Sequence, residues 1–294
     1  MASTPQRLLV LKTYKLFIGG KYPRSESGRV RPHRNPKGEL VAHMSHASRK
    51  DFRDAVVAAR GAQAAWSSRT AFNRGQILYR VAEMLESRAE SFWAKLSSHA
   101  GYSETNAQHE LAASVDRLVW YAGWSDKFSQ LFGAANPVAS HHFNITSPEP
   151  TGVVVLLGPP SAPLLGLVST IAPIIVSGNA VVVVVDSTAP TLALELAEVF
   201  STSDLPGGVV NILTAPRAEL VHHIGGHRDV DAVCAVGSSS EERRALALEA
   251  AESVKRVEFF DDPGREGWLH SSAQSPYRIL PFVEFKTAWH PVGY

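Results

Sequence analysis

The sequence predicts an α/β fold built on a doubly wound parallel sheet, and three observations carry that expectation. From residue 150 onward, five short strand-like runs alternate with helical patterns, the order produced by parallel strands joined through crossover helices. One of them, NAVVVVV, is continuous rather than alternating apolar with polar, as expected of a strand buried on both faces. Apolar residues make up 45% of the 294 residues and charged residues only 19%, enough to fill a large core and to exclude a wholly disordered chain.

The elements follow in order. Residues 1–13 read as a loose leader. Residues 14–45 carry strand and turn signals: YKLFIGGKY offers Gly19 and Gly20 for a two-residue hairpin turn, and RNPKGEL offers a second turn. Ser48 and Asp51 form an S-x-x-D cap ahead of an alanine-rich helix ending near Trp66. A second helix fits residues 74–99, with Ile77, Val81 and Leu85 on one stripe and Leu78 and Ala82 beside it. A third spans 103–132, and the aromatic residues of these helices read as core. TGVVVLLG, NAVVVVV, GVVNILT, DVDAVCAVG and KRVEFF are the five strands. Between them lie a helix running to Ser177 despite Pro173, then TLALELAEVF and SEERRALALEAAE. Residues 261–275 form a polar break, followed by a tail with strand-like alternation at Val283, Phe285 and Thr287.

Several classes of function are excluded. A net charge of +1, from 29 basic and 28 acidic residues, gives no electrostatic pull toward nucleic acid or an anionic membrane. One cysteine rules out an intrachain disulfide and a Cys-cluster zinc site. The most apolar stretch, Gly152 to Val185, is interrupted by Gly158, Pro159, Pro160, Pro163, Pro173, Gly178 and Asn179, so no spanning helix is expected. The run from Leu8 to Leu11 is too short for a signal peptide. A soluble cytoplasmic protein follows. His222, His223 and His227 read as a solvated turn broken by Gly225 and Gly226, with no metal site.

Taken in sequence, these segments resemble the aldehyde dehydrogenase superfamily. LFIGGKYPRSESGRVRPHRNPKGELVA is similar to its N-terminal strands and NP-x-G-E turn, and RLVWYAGWSDK to its Y-A-G-W-A-D-K helix. PEPTGVVVLLGPPSAPLL is similar to P-x-G-V-V-x-x-I-x-P-W-N-x-P-L, and SGNAVVVVVDSTAP to G-N-x-V-V-x-K-P-S-E-x-T-P. DLPGGVVNILT matches G-x-P-x-G-V-x-N-V-V-T-G, and FVEFKTAWHPVGY resembles the terminal Y-x-x-V-K-T-V-W strand. The resemblance implies a Rossmann-like nicotinamide-binding domain over residues 14–260, including the N-terminal helices. It also implies a β oligomerisation arm with one strand in 136–150 and another in 276–294. Residues 261–275 would then be a linker replacing the family's catalytic domain. The family's chemistry is attack by a Cys nucleophile, hydride transfer to NAD(P) and hydrolysis of a thioester.

Residue by residue, that chemistry is eroded. The family's oxyanion Asn aligns with Ser161 and its Trp with Pro160. The Lys that meets the cofactor ribose aligns with Val184. The acidic residue that reads the ribose hydroxyls aligns with Ser187, beside Asp186. The pyrophosphate motif G-S-T-x-x-G appears as Gly237, Ser238 and Ser239, with Glu242 where the last glycine belongs. The family's Glu base aligns with Glu258, and its glycines with Phe260 and Asp261. No cysteine follows Glu258; the single Cys234 lies in a strand of the dinucleotide half and reads as a small buried apolar residue. Ser161 and Glu258 are therefore vestigial catalytic positions, and Gly237 and Ser238 the cofactor-binding positions that remain.

Three functions compete. One is a non-catalytic associating or regulatory subunit of a full-length aldehyde dehydrogenase, or of a second copy of itself. Another is an NAD(P)-dependent oxidoreductase acting on aldehydes. The last is a weak nucleotide-binding module, since losing the Lys and the loop glycine removes about 1–3 kcal/mol each where a charged hydrogen bond is lost.

Overall fold

The computed structural model describes residues 10–187 and 189–292. Residues 1–9 of the expected leader, Thr188, and the last two residues of the expected terminal strand lie outside them.

The N-terminal part is a small sheet of β1 (Thr13–Tyr14), β2 (Val30–Arg34) and β3 (Leu40–Ser45), in the order β1-β3-β2. Ile18 and Lys21 exchange both backbone hydrogen bonds across Gly19 and Gly20. Both glycines have positive φ, 61° and 77°, which a two-residue hairpin of matching twist requires. In the second turn Asn35 does the work: its Oδ1 accepts from the N–H groups of Lys37 and Glu39. The leader is not loose where it is described. Thr13 pairs with His43, and Lys12 reaches the carboxylates of Glu195 and Glu198 at 3.2 and 3.1 Å.

Four helices follow: α1 (Arg49–Ser67), α2 (Ala71–Glu86), α3 (Ala89–Ala100) and α4 (Glu104–Ala122). A short turn of helix, α5 (Phe128–Phe132), follows these. Ser48 and Asp51 make the expected capping box on α1. The helix expected over 74–99 is two helices, parted at Ser87 and Arg88, and the one expected over 103–132 breaks after Ala122. The apolar stripe continues across the first break, with Phe92 and Leu96 as buried as Leu85, so periodicity does not mark it.

The five expected strands form one parallel sheet: β6 (Val153–Leu157), β7 (Ala180–Val185), β8 (Val210–Thr214), β9 (Ala232–Val236) and β10 (Arg256–Phe260). The order is β10-β9-β6-β7-β8. The chain winds outward from β6 through α6 (Leu165–Val176), β7 and α7 (Thr191–Ser201) to β8. It then returns through α8 (Arg217–Gly226) to β9 and through α9 (Ser240–Ala251) to β10. Alternate side chains divide the core. Val154, Leu156, Val181, Val183 and Cys234 pack with α2, α4, α6 and α7, while Val153, Val155, Val182 and Val233 pack with α1, α8 and α9. At about 25 cal/mol per Å2 of apolar surface, this double-sided burial is the main stabilising term. The histidine segment is not a solvated turn: His222 and His223 lie on α8, which runs through Gly225 and Gly226 to its cap at His227.

The remaining strands make a separate antiparallel sheet. The single strand expected in 136–150 is a hairpin of β4 (Ala134–Asn136) and β5 (His142–Pro150), and β11 (Val283–Pro291) pairs along all nine residues of β5. The segment expected as a linker, 261–275, is helical in part. It carries α10 (Gly264–Leu269) and a 3-10 turn, and both Trp268 and Ala273 are buried. Arg117 on α4 donates to the backbone oxygen of Trp268 at 3.0 Å and to the side chain of Gln274 at 3.1 Å.

Candidate cofactor crevice

Strand order fixes where a ligand would bind. The adjacent strands β6 and β9 lead away from each other, β6 on to β7 on one side and β9 on to β10 on the other, so a crevice opens at the carboxyl ends of β6 and β9. The loops after β6, β7, β9 and β10 bring Ser161, Asp186, Gly237 and Asp262 to that edge.

The residues that align with family cofactor positions do not present themselves to a ligand. Val184 is fully buried within β7. The hydroxyls of Ser187 and Ser238 have no exposed oxygen surface and no hydrogen-bond partner; they turn into the protein. Gly237, with φ 62°, keeps the backbone bend of a phosphate loop. However, a Cβ there would lie 3.0 Å from Asp262 and 3.1 Å from Pro160, so the loop is packed from outside. The N-terminus of α9, where an anion would sit, is closed by its own capping box: Ser239 accepts from the Glu242 N–H at 3.2 Å, and the Glu242 carboxylate accepts from the Ser239 N–H at 3.1 Å.

Arg217, the first residue of α8, fills the crevice itself. It is 7% exposed. One guanidinium nitrogen donates to the Val236 carbonyl at 2.9 Å and another to the Gly158 carbonyl, so the side chain ties the end of β9 to the end of β6. Its backbone N–H donates to Asp186 at 3.2 Å, and Glu242 stands 3.9 Å from the guanidinium. Burial pulls the arginine pKa below its ordinary value, opposed first by Glu242, then by Asp186 and Asp262. A dinucleotide therefore does not fit the crevice as these residues fill it.

Beside it lies a second cluster at the expected oxyanion position. The Ser161 hydroxyl donates to Asp262 at 2.6 Å and its backbone N–H does so at 3.0 Å. The Trp268 indole N–H donates to the same carboxylate at 2.8 Å. Ser161 thus spends both donors on a carboxylate rather than offering them to an oxyanion. Nearby, the fully buried Glu110 caps the start of α6, accepting from the N–H groups of Leu164 and Leu165 at 3.0 and 3.2 Å. Burial holds its carboxyl above the usual range. Glu258 lies on β10 opposite Cys234 in register, and its side chain makes no hydrogen bond or ion pair with another described residue. Cys234 is buried, and burial pushes its thiol up to about 12, so no thiolate is available as a nucleophile at neutral pH. Among the described residues no cluster of His, Cys, Asp and Glu is arranged to hold a metal ion.

The structure brings Ser161 and Gly237 to one edge, both against Asp262, and does not join Glu258 to them. The residues missed by sequence reasoning are Arg217, Asp262, Trp268 and Glu110. For Arg217 one signal exists: it is the first helical residue after β8, at the edge where every strand-to-helix loop converges.

The fold and this edge define a class, a doubly wound dinucleotide-type domain carrying a separate antiparallel arm. Residues 22–259 match the model of the aldehyde dehydrogenase family, and the chain belongs to that family. It is similar to a variant aldehyde dehydrogenase from Bacillus cereus, at 27% identity and a TM-score of 0.79, covering 84% of this chain and 50% of that one. The Bacillus cereus enzyme in its NAD+ complex matches at 26% identity and a TM-score of 0.79, covering 85% and 51%. Betaine aldehyde dehydrogenase from Staphylococcus aureus shares the fold, at 24% identity and a TM-score of 0.78, covering 83% and 49%. The chain spans about half the length of these structures. No helix among the described residues is long and apolar enough to cross a membrane.

Proposed function

We propose that this chain is a non-catalytic member of the family that works by association, as a subunit of a full-length aldehyde dehydrogenase or of a second copy of itself. The observation that supports this most is the arm. β11 is an edge strand of this three-stranded sheet, nine residues long, and each of its residues from Glu284 to Pro291 is exposed. Phe285 and Trp289 project from one face at 50% and 59% exposure, and Phe143 and Ile145 from the other at 51% and 41%. A long edge strand flanked by exposed aromatic side chains is a liability in an isolated chain and a ready template for strand addition.

The chemistry of this chain supports the same reading. The oxidation needs a thiolate, an oxyanion donor and a base. Cys234 is buried and protonated, Ser161 is committed to Asp262, and Glu258 lies apart from both. In this reading α10 and the turns after it stand where the family's catalytic domain would begin, and the protein is cytoplasmic.

Two measurements test it. The purified chain should give no NADH or NADPH from a panel of aldehydes at any concentration tried, and it should copurify with a full-length aldehyde dehydrogenase from the same source. Turnover that disappears in Glu258→Ala or Cys234→Ala would establish the oxidoreductase reading instead.

A further inference from the structure

We infer that Arg217 is a built-in occupant of the crevice: this chain has exchanged dinucleotide binding for an internal lock across the ends of β6 and β9. The inference does not depend on association, because a chain that associates could bind a dinucleotide or not.

Three features support it together. First, the guanidinium spans the switch point. Its two donors satisfy the carbonyls of Gly158 and Val236, joining the two strand ends between which a dinucleotide would lie. A planar fork of donors can do this, whereas a single ammonium cannot hold the same geometry.

Second, the charges around it are arranged for an arginine and against a phosphate. Asp186, Glu242 and Asp262 all act on the one guanidinium. Arg31 also pairs with Asp186 at 3.7 Å and Arg243 with Asp261, so four carboxylates face three guanidinium groups around the crevice, and the cations present are paired with this chain's own carboxylates rather than free to receive a pyrophosphate.

Third, Glu242 has two uses. In the capping box its carboxylate accepts from the Ser239 N–H at the start of α9, and it faces Arg217 at 3.9 Å. It therefore takes the place of the anion at the helix N-terminus. The hydroxyls of Ser187 and Ser238, with no exposed oxygen surface, are not offered to a nucleotide either.

The test combines ligand titration with hydrogen exchange on the full chain. NAD+ and NADP+ up to 5 mM should shift the unfolding temperature of the native chain by less than about 1 °C, with no saturable heat by calorimetry. Arg217→Lys, which keeps the charge and loses the fork, should raise amide exchange at least tenfold at Gly158 and Gly237. These donate to Val184 and Phe260 beside the lock, at 3.0 and 2.8 Å. Exchange at Val155, in the middle of β6, should stay unchanged. Saturable NAD(P) binding by the native chain would overturn the inference. So would an Arg217→Lys chain whose Gly158 and Gly237 exchange as slowly as in the native protein. Glu242→Gln gives the milder perturbation if Arg217→Lys fails to fold, and the same exchange pattern is then read with the same two outcomes.

Discussion

Replacing Trp268 by alanine should destabilise the whole domain, although this residue lies in a segment whose composition reads as a polar break. The indole is fully buried. Its N–H donates to Asp262 at 2.8 Å, its backbone oxygen accepts from Arg117 at 3.0 Å, and the Arg278 guanidinium lies 5.3 Å from its ring centre. Truncating a buried tryptophan costs about 3–5 kcal/mol from lost transfer and the cavity left behind. For a chain of this size the urea slope is about 3 kcal/mol per M, so the midpoint should fall by about 1–1.7 M. Trp289→Ala, on the exposed β11, should move the midpoint by less than about 0.3 M. Urea unfolding followed by far-UV circular dichroism and by fluorescence of the remaining tryptophans measures both. A loss under about 1 kcal/mol for Trp268→Ala would refute the reasoning: residues 261–275 would then be a dispensable linker, and Asp262 would not be held in place at Ser161.

Two further outcomes follow. His33 is 8% exposed, its Nε2 has no partner, and burial beside His99 holds its pKa down at about 4. The unfolded chain then binds the extra proton between about pH 6.5 and 4, so this contribution to stability is intact above pH 6.5 and is lost as the pH falls. About 3 kcal/mol is lost by pH 4, and His33→Gln should flatten the slope of urea midpoint against pH in that window. Cys234 should react with a thiol reagent at less than about 1% of its rate in the urea-unfolded chain; equal rates in both states would show that β9 is open at its centre.

The parallel sheet is legible because strand and helix patterns alternate and because its central strands β6 and β7 are nearly unbroken aliphatic runs buried on both faces. The Gly19–Gly20 turn and the Ser48–Asp51 cap were legible because each is a local hydrogen-bond pattern with a fixed spacing. The break at Ser87 and Arg88 was hidden, since an apolar stripe that resumes in phase looks uninterrupted. The burial of Trp268 was hidden for a different reason. DDPGREGWLHSSAQS is polar around it, and only the distant Arg117 and the neighbouring Asp262 supply its partners. At the crevice, motif comparison identified what had been lost, the lysine at Val184 and the glycine at Glu242. It could not identify what had been gained, because Arg217 corresponds to no family motif residue and acts through two backbone carbonyls that carry no sequence signal.

The central claim is association without catalysis, and mass by light scattering tests it most directly. The chain is measured alone and then mixed with a full-length aldehyde dehydrogenase from the same source. A second mixture uses Phe285→Ser/Trp289→Ser, which removes apolar surface from exposed positions of β11. The account predicts either a mixed species or a homo-oligomer with the native chain, and its loss with the double variant while the fold by circular dichroism is kept. A native chain that stays monomeric under both conditions, or a complex indifferent to the β11 changes, would contradict it.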